Sequence, residues 1–92
     1  ALGNLKRYDE AVASYEKALA IDPKYAIAWF NRGIALGNLG RHQEAVASYD
    51  KAIALDPKDA SAWVGRGNAL RKIGSEREAE KSFQRARELG YK

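Results

Sequence analysis

Few side chains of this sequence have the type and spacing that catalysis or metal binding requires. The chain has no cysteine and a single histidine, His42, which excludes a thiolate metal site, a cysteine nucleophile and a zinc site built on several histidines. Ser14, Ser48 and Ser82 have no base near them in sequence that could activate a hydroxyl as a nucleophile. No glycine-rich loop follows a predicted strand, as a phosphate-binding loop requires. We therefore expect a protein that is not an enzyme and that holds no metal and no cofactor.

Arg32 and Arg66 are the side chains whose surroundings demand a chemical partner. They lie at equivalent positions on two predicted helices, and each directly precedes a glycine that marks a close helix contact. A guanidinium in such a place has to reach solvent or bind an acceptor. Glu16 and Asp50 share one register on the adjoining helices. We therefore predict a structural ion pair between helices rather than a ligand role.

The net charge of +4 comes from the last third of the chain, where residues 65–92 hold eight basic and four acidic side chains. A basic surface can bind nucleic acid, with an affinity that falls steeply as salt rises. Here acids alternate with the bases, which is typical of a solvated helix surface, so nucleic acid is the less favoured partner. The side chains that would carry it are Arg66, Arg71, Lys72, Arg77, Lys81 and Arg85. No run approaches the roughly eighteen apolar residues of a membrane span, and no membrane contact is expected.

An internal repeat organises the chain. The segment Ala11–Lys24 recurs almost unchanged as Ala45–Lys58, and the opening ALGNL recurs at 35–39 with the same offset. A third, more divergent copy follows. The composition includes 17 alanines, only eight valines and isoleucines together, and no threonine. This mixture and the apolar spacing within one unit predict helices rather than strands.

The ends of the predicted helices are indicated by glycine, proline and capping residues. Gly40 and Gly74 stand where a helix needs a left-handed residue at its end, and Pro23 and Pro57 follow helices that they cannot continue. Asp59 is predicted to cap the next helix, and Ser75 with Glu78 has the spacing of a capping box. The predicted helices are 1–5, 9–20, 26–39, 43–54, 60–73 and 76–89.

The sequence resembles the tetratricopeptide repeat family over essentially its whole length. The matching residues are Trp29, Gly33, Leu36, Ala45, Tyr49, Ala52 and Pro57, and again Trp63, Gly67, Leu70, Ala79, Phe83 and Ala86. The resemblance implies an all-α fold in which antiparallel helix pairs stack as a right-handed superhelical solenoid. It also implies one domain of about two and two-thirds repeats: a truncated repeat at 1–25, a complete one at 26–59 and a C-terminal capping repeat at 60–92. Arg32 and Arg66 depart from the leucine that is usual in the family.

The resemblance further implies a scaffold that binds a peptide or protein segment in a groove formed by the first helices of the repeats. Residues left over once the packing positions are assigned give the candidate site: Ile27, Phe30, Asn31, Ile34, Asn38, Ser61, Val64, Asn68, Arg71 and Lys72. Its apolar members would form a floor, and its asparagines can bind both amide groups of an extended backbone.

One well-known binding mode of the family, the clamp for a carboxylate at a peptide's end, is not expected here. Asn31 fits its middle asparagine, but Ser61 and Gly65 stand where a lysine and an arginine are needed. We therefore expect a less charged peptide, held by apolar contacts and amides.

The two ends of the chain are expected to differ. The chain has no methionine, and we interpret it as a fragment or processed product whose first hairpin lacks nine residues of its first helix. Residues 1–8 should then be irregular or displaced, because Lys6 replaces the turn glycine. An under-covered face of Tyr8, Ala11, Tyr15 and Ala18 should be covered by another copy of the chain, giving a homo-oligomer.

At the other end, charged residues replace apolar ones. Glu80 and Arg87 occupy the register of Val46 and Ile53, which are expected to pack on the following repeat. Charges at those positions predict that the helix 76–89 is a polar cap.

Overall fold

Five helices account for nearly all of the described chain. The computed structural model describes residues 2–91, with side chains from Lys6 to Tyr91. Each helix packs against the next, and α2 also touches α4, while residues 2–91 contain no strand. The all-α prediction is therefore confirmed, whereas the division at 25 and 59 into three repeats stays a prediction. The helices are α1 (Leu2–Ile21), α2 (Ala26–Asn38), α3 (His42–Leu55), α4 (Ala60–Lys72) and α5 (Glu76–Glu88).

The predicted glycine ends are confirmed. Gly40 and Gly74 have φ angles of 80° and 84°, in the left-handed region that side chains with a Cβ rarely adopt. The backbone then turns back, so that Arg41 N–H donates to the Leu36 carbonyl at 2.9 Å. This bond satisfies one of the carbonyls that a helix leaves free at its end. The tight turns make α2 with α3, and α4 with α5, into hairpins.

Both predicted helix starts are confirmed, but only Asp59 makes the predicted capping contact. The Asp59 carboxylate accepts a hydrogen bond from Ser61 N–H at 3.0 Å, which caps α4. Ser75 lies at the start of α5, but its side chain makes no capping hydrogen bond. The predicted capping box is therefore wrong, and the Glu78 carboxylate lies instead 3.7 Å from Lys81 Nζ, one turn further along the helix.

The predicted break near the start of the chain is wrong. Residues 2–8 are neither irregular nor displaced, because α1 runs without interruption for 20 residues, against 13 or 14 in the other helices. The predicted helices 1–5 and 9–20 are thus one helix from residue 2 onward, and Ala1 lies outside the described residues. The reason is Lys6, which replaces the turn glycine. Lysine avoids the left-handed conformation and favours helix, so nothing ends α1 at that position.

The core lies between α1, α2 and α3 and continues toward α4. Leu36 is fully enclosed, and Val12, Ala45 and Tyr49 pack around it. Most of the other buried positions are alanine, which lets helix axes approach closely. Gly33 is part of this close approach, since a Cβ added there would lie 2.8 Å from the Tyr49 ring. Gly67 meets Phe83 in the same way, at 2.6 Å.

Both arginines pair with the acids that the repeat register predicts. Arg32 Nη2 lies 2.9 Å from Glu16 Oε2, and Arg66 Nε lies 2.7 Å from Asp50 Oδ1. Each ion pair joins the first helix of one repeat to the second helix of the preceding repeat. The predicted pairing between helices is confirmed.

Each arginine also binds a serine of its own repeat, a contact that the sequence did not indicate. Arg32 Nη1 donates to Ser48 Oγ at 2.5 Å, and Arg66 Nη1 donates to Ser82 Oγ at 2.7 Å. Both serines are completely buried, so the guanidinium satisfies a hydroxyl that water does not reach. We call each set of acid, arginine and serine an arginine bridge. An arginine bridge links three consecutive helices.

The serine contact leads to a stability prediction. Arg66→Leu introduces the residue usual in the family but leaves the buried Ser82 hydroxyl without its donor. We expect the free energy of unfolding to fall by about 1–2 kcal/mol. Adding Ser82→Ala should recover most of that loss, because the double variant has no unsatisfied group. Urea denaturation of the two single variants and the double variant measures the coupling. Additive losses would show that the hydrogen bond does not stabilise the fold.

Candidate binding groove

The exposed faces of α2 and α4 lie side by side and form a groove. It consists of two adjoining depressions of about 230 and 270 Å³. Ile34, Tyr49, Gly65 and Asn68 line both depressions and make the groove continuous. The first depression also has Gly37, Asn38, His42, Ala45, Ala69 and Lys72, and the second has Phe30, Ser61, Val64 and Tyr91.

The structure brings seven of the ten candidate site residues into this groove. They are Phe30, Ile34, Asn38, Ser61, Val64, Asn68 and Lys72. All ten lie on α2 and α4, but Ile27, Asn31 and Arg71 do not line either depression. Ile27 is 62% exposed at the start of α2, and Asn31 is half-buried.

Arg71 is engaged with α5 rather than with the groove. Its guanidinium carbon lies 4.9 Å from the centre of the Phe83 ring, a stacking distance for a cation on an aromatic face. Arg71 Nη2 is also 3.6 Å from Glu80 Oε1, and its Nε is 3.8 Å from Glu76 Oε2. These contacts direct the charge toward the second helix of its own repeat.

The floor of the groove is apolar and partly aromatic. The rings of Phe30 and Tyr49 have their centres 5.9 Å apart and are tilted by 58°, a favourable arrangement for two aromatic side chains. Ile34 is 41% exposed above them, and Val64 is half-buried on the facing helix. A ligand that covered this floor would remove apolar surface from water.

The polar groups of the groove are asparagine amides, the Lys72 ammonium, the His42 imidazole and the hydroxyls of Ser61, Tyr49 and Tyr91. Asn38 and Asn68 face the first depression together with His42 and Lys72, and none of the described residues that line either depression is a carboxylate. This composition suits a segment that offers backbone amides and carries no excess of positive charge.

Tyr49 is the functional candidate that sequence reasoning missed, because its register marks it as a packing residue. It is 6% exposed, and burial raises the pKa of its phenol above the ordinary value. Its access to the groove depends on Gly65. Gly65 occupies the register of Asn31 one repeat later. The absence of a side chain at this position was the signal in the sequence that a residue beneath it could reach the groove.

The residues of α1 that the sequence predicts to be under-covered are all half-buried, and the first three of them pack against the core: Tyr8, Ala11, Tyr15 and Ala18. The counterparts of Ala11, Tyr15 and Ala18 one repeat later are buried, whereas Tyr8 is half-buried like its counterpart His42. Ser14 is exposed, although the equivalent Ser48 is completely buried. This face of α1 therefore presents apolar residues and a serine whose counterparts in the next repeat are covered by a packed helix. That another copy of the chain covers it stays a prediction.

At the opposite end of the structure, Glu80 and Arg87 are exposed. The outer side of α5 is therefore charged, as the register predicts, and its role as a cap stays a prediction. Among residues 2–91 no helix has the length and apolar character needed to cross a membrane. The same residues bring together no group of three or more side chains suited to holding a metal ion.

Comparison with known families gives one consistent result. The family model described as tetratricopeptide repeat matches residues 1–60 and, in a second overlapping match, residues 32–90. The two matches together extend over almost the entire chain. No match is found among curated proteins.

Solved structures similar to this chain include MamA (MSR-1) and two repeat domains of Spaghetti (RPAP3). MamA superposes with a TM-score of 0.87 at 34% identity, covering 90% of this chain and 48% of MamA. The first repeat domain of Spaghetti, bound to the HSP90 peptide SRMEEVD, gives 0.89 at 30% identity, covering 92% of this chain and 68% of that one. Its second domain, bound to the same peptide, gives 0.87 at 29% identity, covering 89% and 76%. This chain thus spans about half the length of MamA.

Proposed function

Because this chain belongs to the tetratricopeptide repeat family, we propose that it is a non-catalytic scaffold that binds a peptide segment of a partner protein in the groove between α2 and α4. The family's fold is generally a module for protein interaction. Two of the similar structures hold a peptide, which supports the same kind of ligand for this chain.

The observation that carries the proposal is the apolar floor flanked by amides. Phe30, Ile34 and Val64 present apolar surface, while Asn38 and Asn68 supply donors and acceptors at its edge. Ligand sites usually combine an apolar lining with a few placed polar groups. An extended peptide fits this pattern, because its side chains can cover the floor while its backbone binds the asparagines.

The chemistry of the groove favours a peptide with apolar side chains and few charges. Ser61 and Gly65 stand where a carboxylate clamp needs cations, so a strongly acidic peptide end lacks most of its partners here. At one end of the groove, Lys72 and His42 can bind one hydrogen-bond acceptor of the peptide.

A peptide selection tests the proposal directly. Random peptides displayed on phage are selected on the folded chain, and the bound sequences are synthesised and measured by calorimetry at low and high salt. Amide resonances that shift on titration should cluster on α2 and α4. The dissociation constant should change less than about threefold with salt, because an apolar contact releases few counterions. Shifts confined to α5, or no selected peptide at all, would contradict the proposal.

Nucleic-acid binding remains the alternative with less support. Of its six candidate cations, Arg66, Arg71, Lys81 and Arg85 each lie within 4 Å of a carboxylate. A steep fall in affinity for an oligonucleotide with rising salt, absent for the selected peptide, would favour that class.

Self-association is a second candidate function, favoured by the under-covered face of α1. Half-buried Ala11, Tyr15 and Ala18 lie in the register that the chain buries one repeat later. Light scattering measures the molar mass at rising protein concentration, with and without the selected peptide, and so tests self-association separately from peptide binding. A mass that stays monomeric throughout would exclude it, and a dimer that persists with peptide bound would show that the two functions use different surfaces.

A further inference from the structure

The Tyr49 ring lies between two glycines of different repeats. A Cβ added to Gly33, on the neighbouring helix of the same hairpin, would lie 2.8 Å from ring atom Cε1. A Cβ added to Gly65, on the next repeat, would lie 2.6 Å from both Cε1 and Cζ. Since Cζ carries the hydroxyl, the polar end of the ring is next to Gly65, which has no side chain to cover it.

The Tyr49 hydroxyl has no hydrogen-bond partner among residues 6–91, although the residue is only 6% exposed. It is not sealed inside the protein either. Among the described side chains, Arg32 Nε is both enclosed and without a hydrogen-bond partner, whereas the Tyr49 phenol oxygen is not enclosed. Tyr49 also lines both depressions of the groove. Buried polar groups in native proteins almost always have a partner.

Packing alone does not require the hydroxyl. Phe83 occupies the same register one repeat later, and it packs on Gly67 just as Tyr49 packs on Gly33. A phenyl ring therefore fills this position in the same fold, and the extra oxygen of Tyr49 serves something other than the core.

Gly65 determines whether a ligand can reach that oxygen. Its equivalent one repeat earlier is Asn31, which is half-buried and lines neither depression. In this chain any side chain at position 65 would collide with the Tyr49 ring. The Tyr49 ring, from α3, therefore occupies the place that a side chain at position 65 would take.

We propose that the Tyr49 hydroxyl contacts the bound peptide and donates a hydrogen bond to one of its backbone carbonyl oxygens, with Gly65 giving the peptide access to it. This inference rests on the proposed peptide-binding function. Burial raises the pKa of the phenol, so the group is protonated at neutral pH and can act as the donor. A backbone carbonyl is the acceptor that every extended peptide presents, whatever its side chains.

The test removes one oxygen and uses a matched control. The probe is a peptide obtained by the phage selection described above, and its affinity is measured for the chain and for Tyr49→Phe. We expect binding to weaken by about three- to tenfold, the usual range for one net hydrogen bond. Tyr15→Phe makes the same change in the equivalent register outside the groove and should leave affinity unchanged. Urea denaturation should show Tyr49→Phe to be as stable as the parent chain, since Phe83 shows that phenylalanine fits.

A second measurement identifies the acceptor. Each amide of the probe peptide is replaced in turn by a trans-olefin, which keeps the shape and removes both the carbonyl oxygen and the N–H group. At one position the replacement should weaken binding to the parent chain about three- to tenfold more than it weakens binding to Tyr49→Phe. If no position shows this coupling, the hydrogen bond to a carbonyl is wrong.

The outcomes separate this inference from the proposed function. If Phe30→Ala weakens the probe while Tyr49→Phe does not, the groove is the binding site and the role of the hydroxyl is wrong. If neither variant affects the affinity, the peptide binds elsewhere and both proposals fail. Weakening by both variants, with Tyr15→Phe unchanged, supports both.

Discussion

Leu36→Ala should lower the free energy of unfolding by about 3 kcal/mol, near the middle of the range for leucine truncations in cores. Leu36 is fully enclosed and lies where α1, α2 and α3 meet. Its loss leaves a cavity whose lining is partly alanine, and such short side chains cannot move in to fill it. Domains of this size are stable by only about 5–10 kcal/mol, so we expect Tm to fall by roughly 12 °C or more.

Leu55→Ala provides the control, because it makes the same chemical change at the end of α3 where the side chain is 40% exposed. Its expected cost is about 1 kcal/mol, since less apolar surface is lost and no closed cavity forms. Urea denaturation followed by circular dichroism compares the two variants with the parent chain. Equal costs for both substitutions would contradict the position of the core between the first three helices.

Phe30→Ala should weaken the binding of a selected peptide at least tenfold, whereas Lys72→Ala should weaken it by about threefold or less. Aromatic anchors that lose contact with water usually dominate binding energy, and charges at the rim contribute little. Phe30 lies half-buried on the groove floor against Tyr49. Lys72 is exposed at the end of the groove. Calorimetry on both variants, at a temperature where denaturation shows them folded, measures the difference.

Salt dependence decides what a different result means. If Lys72→Ala causes the larger loss at low salt and the loss disappears at high salt, the groove binds through long-range electrostatics. That outcome would contradict an apolar floor as the main source of affinity and would favour an anionic ligand.

Much of the fold could be predicted because the same local pattern occurs more than once. Because the period of the repeat is constant, the sequence predicts that Arg32 pairs with Glu16 and that Arg66 pairs with Asp50. Gly40 signalled a helix end through a conformational preference that acts within one residue. The bounds of α2 to α5 lie within one residue of the predicted helices. Repetition turns weak local preferences into a consistent register.

Three features could not be predicted from the pattern, each for a physical reason. The predicted break at Lys6 failed because register assigned a turn to a residue that favours helix. Ser75 lies at the start of α5 as the pattern predicts, but the residue type does not fix the direction of its side chain, which makes no capping hydrogen bond. Tyr49 shows a side chain with two roles, since its ring packs in the core while its hydroxyl end reaches the groove. A pattern of residue types assigns a whole side chain either to the core or to the surface, and it does not distinguish the ring of a tyrosine from its hydroxyl.

The arginine bridges have a consequence for how the molecule opens. Arg66 on α4 binds Asp50 on α3 and Ser82 on α5, so the last hairpin cannot swing away from its neighbour without also disturbing its own internal contact. Opening one boundary between repeats therefore has a cost inside the adjacent repeat. In a linear array, such a link raises the energy of partly unfolded states relative to the fully folded and fully unfolded ones. We therefore expect fraying from the C-terminal end to be cooperative, with the amides of α3, α4 and α5 exchanging with solvent as a single unit.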